Sequence, residues 1–151
     1  MSEQTFFPDY SRMQTLRPRA LLPLVGAWDA VPVEAICAEY SRVTLYISYA
    51  EEDPAGAMDF QVQISPFSEN QLTLESWFDL TAYAVGAVVS GADTQSLVQA
   101  NYVTFEPVST DDEGFAFLIE LDETVQRIRV LCRESGAVAD PGYCRVIGIF
   151  S

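Results

Sequence analysis

The chain has 151 residues, 49% of them apolar, and 22 acidic against 8 basic side chains give a formal charge of -14. That length makes one ordinary domain whose core needs neither disulfides nor metal, no apolar run approaches the roughly 20 residues that span a bilayer, and so negative a surface repels nucleic-acid phosphates. Every base is arginine; without histidine or lysine the chain has no Ser-His-Asp triad, Cys-His dyad or Schiff-base lysine, and the commonest metal ligand is missing.

The N-terminus, MSEQTFFPDYSRM, lacks the charged start and apolar stretch of an export signal, so synthesis in the cytoplasm is expected. Residues 1–27 hold Phe6, Phe7, Tyr10, Leu16, Leu21, Leu22 and Leu24 at neither a strand nor a helix period, and Pro8, Pro18 and Pro23 interrupt them. Proline removes a backbone donor and disfavours helix before it, which predicts an extended or irregular N-terminal arm over 1–27 and a separate β-sandwich domain over 28–151. An arm so rich in Phe and Leu is expected to dock, either on its own sandwich or on a neighbouring subunit.

Strand patterns follow at about 31–38, 43–50, 57–65, 76–84, 101–107, 115–121, 125–133 and 143–150. In VTLYISYAEEDPAGAMDFQVQIS, Val43, Leu45, Ile47 and Tyr49 share one phase and Met58, Phe60, Val62 and Ile64 share another, across an acidic Gly- and Pro-containing turn. This reads as a hairpin. Trp77 and Tyr83 fall on the phase opposite Phe78 and Leu80. They are either an exposed stacking platform for sugar or aromatics covered by the arm or a subunit interface. Residues 85–100 do not read cleanly as a strand, and Thr94–Ala100 is a candidate helical turn.

In the C-terminal pair of strands, Ile128, Val130 and Cys132 point inward and Arg127, Arg129, Leu131 and Arg133 outward. Three guanidinium groups on one face suit pairing with carboxylates, of an adjacent strand or of another subunit. Turns are signalled at Asp53-Pro54-Ala55-Gly56, Ser90-Gly91-Ala92-Asp93, Asp111-Asp112-Glu113-Gly114, Glu134-Ser135-Gly136 and Asp140-Pro141-Gly142. Eight strands without an amphipathic helix predict an all-β, two-sheet antiparallel sandwich, with a jelly roll the favoured topology.

Chemistry is scarce. Cys37, Cys132 and Cys144 have no zinc spacing and sit in apolar alternation, as small buried hydrophobes do. A Cys132–Cys144 bridge across a hairpin fits geometrically, but not a cytoplasmic compartment. The acidic turns Glu51-Glu52-Asp53 and Asp111-Asp112-Glu113 offer oxygen ligands to calcium without the spacing of a calcium loop. No phosphate-binding loop, nucleophile elbow or metalloprotease helix occurs, so no enzyme, cofactor or metal is expected.

The segments WDAVPVEAIC, RVTLYISYAEEDPAGAMDFQVQISPFS, SWFDLTAYAVGAVVSGADTQ and TVQRIRVLCRESGAVADPGYCRVIGIFS together resemble small structural proteins of tailed-bacteriophage virions, in particular jelly-roll capsid decoration or cement proteins. The resemblance covers about Trp28 to Ser151 and rests on a style of strand and turn. It implies a homotrimeric virion protein, without membrane or nucleic-acid partner, that binds the outside of an assembled shell and reinforces contacts between major capsid subunits. From composition, the arm residues Phe6, Phe7, Tyr10, Arg12, Arg17, Arg19, Leu21 and Leu22 are the expected partner contacts, with Trp77, Tyr83, Arg127, Arg129 and Arg133 as further surface contacts. A carbohydrate-binding or tail-associated adhesion module is the alternative.

Overall fold

The computed structural model describes residues 12–24, 27–80, 101–106 and 113–151. The described residues form an all-β, two-sheet antiparallel sandwich with an extended N-terminal strand. The elements are β1 (Met13–Leu21), β2 (Ala35–Ile36), β3 (Arg42–Ala50), β4 (Met58–Ser65), β5 (Phe78–Asp79), β6 (Val103–Phe105), β7 (Glu113–Glu120), β8 (Arg127–Glu134) and β9 (Tyr143–Phe150). Sheet one runs β1-β9-β3-β7 and sheet two β2-β8-β4-β5, with β6 also on β4. β5 and β6 share the same edge of β4 at opposite ends, opposite Gln63–Ile64 and Met58–Phe60 respectively. Pairing is nested: β1 with β9, β2 with β8, β3 with β7 and β4 with β6.

Alternation predicts the inward faces correctly. Val43, Leu45, Ile47 and Tyr49 of β3 and Met58, Phe60 and Val62 of β4 are buried, as are Ile128, Val130 and Cys132 of β8 and Cys144, Val146 and Phe150 of β9. An aromatic group fills the core where β4 and β6 face β7: Phe105 stacks on Phe115 at 4.5 Å between ring centroids, and Phe60 meets Phe117 edge-on at 5.4 Å. Such pairs add about 0.5–1.5 kcal/mol each beyond the area they bury.

The predicted hairpin is not one. β3 belongs to sheet one and β4 to sheet two, so the 51–57 turn crosses from one sheet to the other. The same holds for β8 and β9. Period 2 assigns residues to a face but does not say whether the next strand lies beside that face or opposite it. Crossing over closes two apolar faces upon each other in one step, which a two-stranded ribbon cannot do. Cys132 and Cys144 therefore face each other from opposite sheets, and all three cysteines are free and buried.

The described part of the N-terminal segment is extended and docks on its own sandwich, one of the two expected places: residues 13–21 form its edge strand β1, antiparallel to β9, with the pairing shifted between Thr15 and Arg17 and again between Arg17 and Ala20. The first shift lets both Leu16 and Arg17 turn inward, the expected effect of a bulge. Leu16 enters the core over Gly148, where an added Cβ would stand 3.0 Å from the Leu16 Cδ1 atom. Pro18 is tolerated because an edge strand has one unpaired side. Phe6, Phe7, Tyr10, Tyr83, the 90–93 turn, Asp111, Asp112 and the 94–100 helical turn lie outside the described residues.

Candidate functional site

Two buried polar knots fix the ends of the strands. Arg17 uses every guanidinium N–H: Nε and Nη2 donate to the Asp29 carboxylate at 2.8 and 3.1 Å, Nη1 to the Ala20 and Cys144 carbonyls, and Nη2 to the Leu21 carbonyl. Asp29 also accepts from the Cys132 backbone amide at 3.0 Å. Burial works against the Arg17 charge, but Asp29 more than offsets this and holds the guanidinium above its ordinary value. The pair thus ties β1, β9 and β8 together through the loop before β2.

At the other knot, the Glu134 carboxylate is wholly buried. It accepts from the Tyr49 hydroxyl and from the backbone amides of Ala57, Gly136 and Gly142, at 2.8 to 3.0 Å. Three turns marked in the sequence by Gly56, Gly136 and Gly142 converge on this one acid. Gly142 has no room for a side chain, since a Cβ there would lie 2.6 Å from both the Ala50 carbonyl and the Tyr49 ring. Burial, then the Glu134 carboxylate, pushes the Tyr49 phenol far above its ordinary value.

The outer face of sheet two carries the predicted arginines. Asp59, Gln63 and Ser65 of β4 lie opposite Arg133, Arg129 and Arg127 of β8. Arg133 Nε donates to Asp59 Oδ2 at 2.9 Å, and Thr104 of the neighbouring β6 donates to Asp59 Oδ1 at 2.6 Å. Arg127 bonds Glu34 at 2.7 Å, the Phe67 carbonyl, Asn70 and Ser65. Arg129 meets an amide, Gln63 Oε1 at 2.8 Å, and burial pushes its pKa below the ordinary arginine value, Glu34 opposing and Arg127 adding to the shift. The Trp77 ring lies 4.7 Å from the Arg127 guanidinium and 4.2 Å from that of Arg129. At the other end Arg133 rests 4.0 Å over Trp28 and 5.1 Å over Tyr102. These contacts are the intramolecular alternative for the arginines, each stacked on an aromatic ring of the same chain.

Sheet one presents a different outer face. Across it Met13, Ile149, Thr44 and Leu118 form one row, and Thr15, Ile147, Tyr46 and Ala116 the next. Tyr46 and Met13 are about half exposed, at 51% and 47%, and Leu118, Ile147 and Ile149 are partly exposed. A groove runs along Tyr46, Ser48, Gly114, Arg145 and Ile147. The β9 sequence, YCRVIGIF, carries the signal: apart from Arg145 both of its phases are without charge, and Ile147 and Ile149 make the outer face of that strand a candidate for cover.

Of the proposed arm contacts, Arg17 and Leu22 are buried within the chain. Every guanidinium N–H of Arg17, expected from composition to meet a partner, is taken up within the chain. Arg12 donates to the Phe150 carbonyl at 2.9 Å, Arg19 lies 5.1 Å from the Tyr143 ring, and Leu21 is exposed. Among the described residues no group of three or more His, Cys, Asp or Glu side chains could hold a metal, and no helix is long and apolar enough to cross a membrane. Compared with protein-family models, curated proteins and solved structures, the chain matches none.

Proposed function

We propose that the chain is a non-enzymatic structural subunit that docks through the outer face of sheet one onto an assembled protein shell, as a capsid decoration or cement protein. The observation that carries this reading is the pair of adjacent rows holding Met13, Ile149 and Leu118, then Ile147 and Tyr46, on the outer face of sheet one. An apolar face of that kind favours burial against another protein. The fold supports it too: nested pairing with sheet orders β1-β9-β3-β7 and β2-β8-β4-β6 favours a jelly-roll reading, an architecture common among capsid and lectin domains. Without histidine or lysine the chain has few routes to catalysis, and a charge of -14 keeps the subunit off packaged nucleic acid. Copies on a symmetric shell, singly or as trimers, multiply a modest contact.

The test is co-sedimentation with mature capsids from the genome encoding the protein. The full chain is compared with Ile147→Asp and with a chain beginning at Arg12, which retains β1. Saturable binding lost in Ile147→Asp supports the sheet-one face. Binding lost on removing residues 1–11 transfers the contact to Phe6, Phe7 and Tyr10, and no binding by the full chain ends the shell reading.

A further inference from the structure

Next to the Arg133 end of sheet two lies an open groove of about 680 Å³, bordered by the 54–57 turn, by Tyr102 to Glu106 and by Arg133 to Ala137. Its wall is rich in unspent donors. Arg133 uses Nε on Asp59 and rests against two rings, while its terminal amino groups make no hydrogen bond among the described residues.

Three features choose among acceptor-bearing ligands. The Arg133 charge is already balanced by Asp59 at 2.9 Å, the exposed Glu106 carboxylate lies on the same groove, and the whole molecule is at -14. All three disfavour an anion. Tyr102, partly exposed on the groove wall, offers an apolar ring with a polar tip. A ligand that accepts from Arg133, donates to Glu106 and presents a C–H face to an aromatic ring is a neutral, polyhydroxylated ring.

We infer that this groove is a binding site for a neutral sugar, a hexopyranose unit held by Tyr102, Glu106 and Arg133. The site lies on sheet two and the adjoining turns, apart from the shell-facing sheet, and does not depend on the shell reading. Binding discards nothing covalent; it exchanges water for hydroxyl groups at donors the fold leaves open.

The full chain is titrated with glucose, galactose and mannose, with a short neutral oligosaccharide, and with glucuronate and inorganic phosphate, read by tryptophan fluorescence and calorimetry. Trp28 stands 4.0 Å from Arg133, so occupancy is expected to change its emission. Saturable binding of at least one neutral sugar is expected, weakened about tenfold or more by Tyr102→Ala and by Glu106→Gln, the loss of one aromatic contact or one charged hydrogen bond. Tighter binding of the oligosaccharide than of any monosaccharide identifies a glycan chain as the source; equal binding identifies free sugar. Silence toward every neutral sugar, preference for glucuronate or phosphate, or binding indifferent to both Tyr102→Ala and Glu106→Gln in folded variants overturns the inference.

Discussion

A buried carboxylate with four donors around it is a strong local constraint. Glu134 gathers Tyr49 and three turn amides, so Glu134→Gln keeps the volume but sets an amide N–H₂ against donors. A loss of about 3 kcal/mol in urea unfolding is expected, typical of a disrupted charged hydrogen-bond group. Glu51 behaves oppositely. Burial, then the nearby Glu113, Asp53 and Glu134, pushes its carboxyl above the ordinary value, and its Oε2 lacks a partner. The folded state therefore holds this proton more tightly than the unfolded chain, and the side chain subtracts stability as pH rises from the ordinary carboxylate value through the raised one. Glu51→Gln is expected to unfold at higher urea than the parent at about pH 7 and at the same urea at about pH 3. A variant less stable at both would refute the sign. For the thiols, burial pushes Cys37 up to about 11, and contact with Cys144 together with burial pushes Cys132 well up. In native protein at mildly alkaline pH all three should resist an aromatic disulfide reagent and react only at the rate of unfolding.

At the scale of elements, the Arg17–Asp29 pair decides whether β1 stays on the sandwich. Removing one partner leaves a buried charge, so Asp29→Ala is expected to cost about 3–5 kcal/mol, and the double variant Arg17→Met with Asp29→Leu to recover much of that. A double-mutant cycle by denaturant titration measures the coupling; strictly additive losses would mean that the tie does not hold the strand. This is also the scale at which the sequence becomes hard to read. The inward phases of β3, β4, β8 and β9 were legible because one side chain in two is apolar. The partners of those strands were not, because nothing in VTLYISYA or MDFQVQIS distinguishes a neighbour from an opposite. β1 was hidden by its own bulge, with Leu16 and Arg17 adjacent and both buried. Arg127, Arg129 and Arg133 were placed on the correct face, but their arrangement with Trp28, Trp77 and Tyr102 depends on residues up to about a hundred positions away. Tyr102 carried no local signal at all.

For the molecule as a whole, charge is the dominant long-range term. The net charge of -14 opposes compaction, whereas Arg17–Asp29 and Arg133–Asp59 are partly or wholly buried and feel salt less. Raising sodium chloride from about 10 to about 300 mM shortens the screening length from roughly 30 Å to below 10 Å. The melting temperature at neutral pH is therefore expected to rise, and a fall would show that exposed ion pairs contribute more than the repulsion does.

The nested strand order also has a temporal side. β1 emerges from the ribosome well before its partner β9, and β9 also separates β1 from β3. Until Tyr143–Phe150 leaves the exit tunnel, Leu16 has no core to enter and sheet one has a gap at its centre. The nascent chain thus carries β1 uncommitted until β9 is made, and folding is expected to be a late, slow event of the kind that high sequence separation imposes. A ribosome stalled before Tyr143–Phe150 has emerged would hold every other described strand and still be unable to close the sandwich.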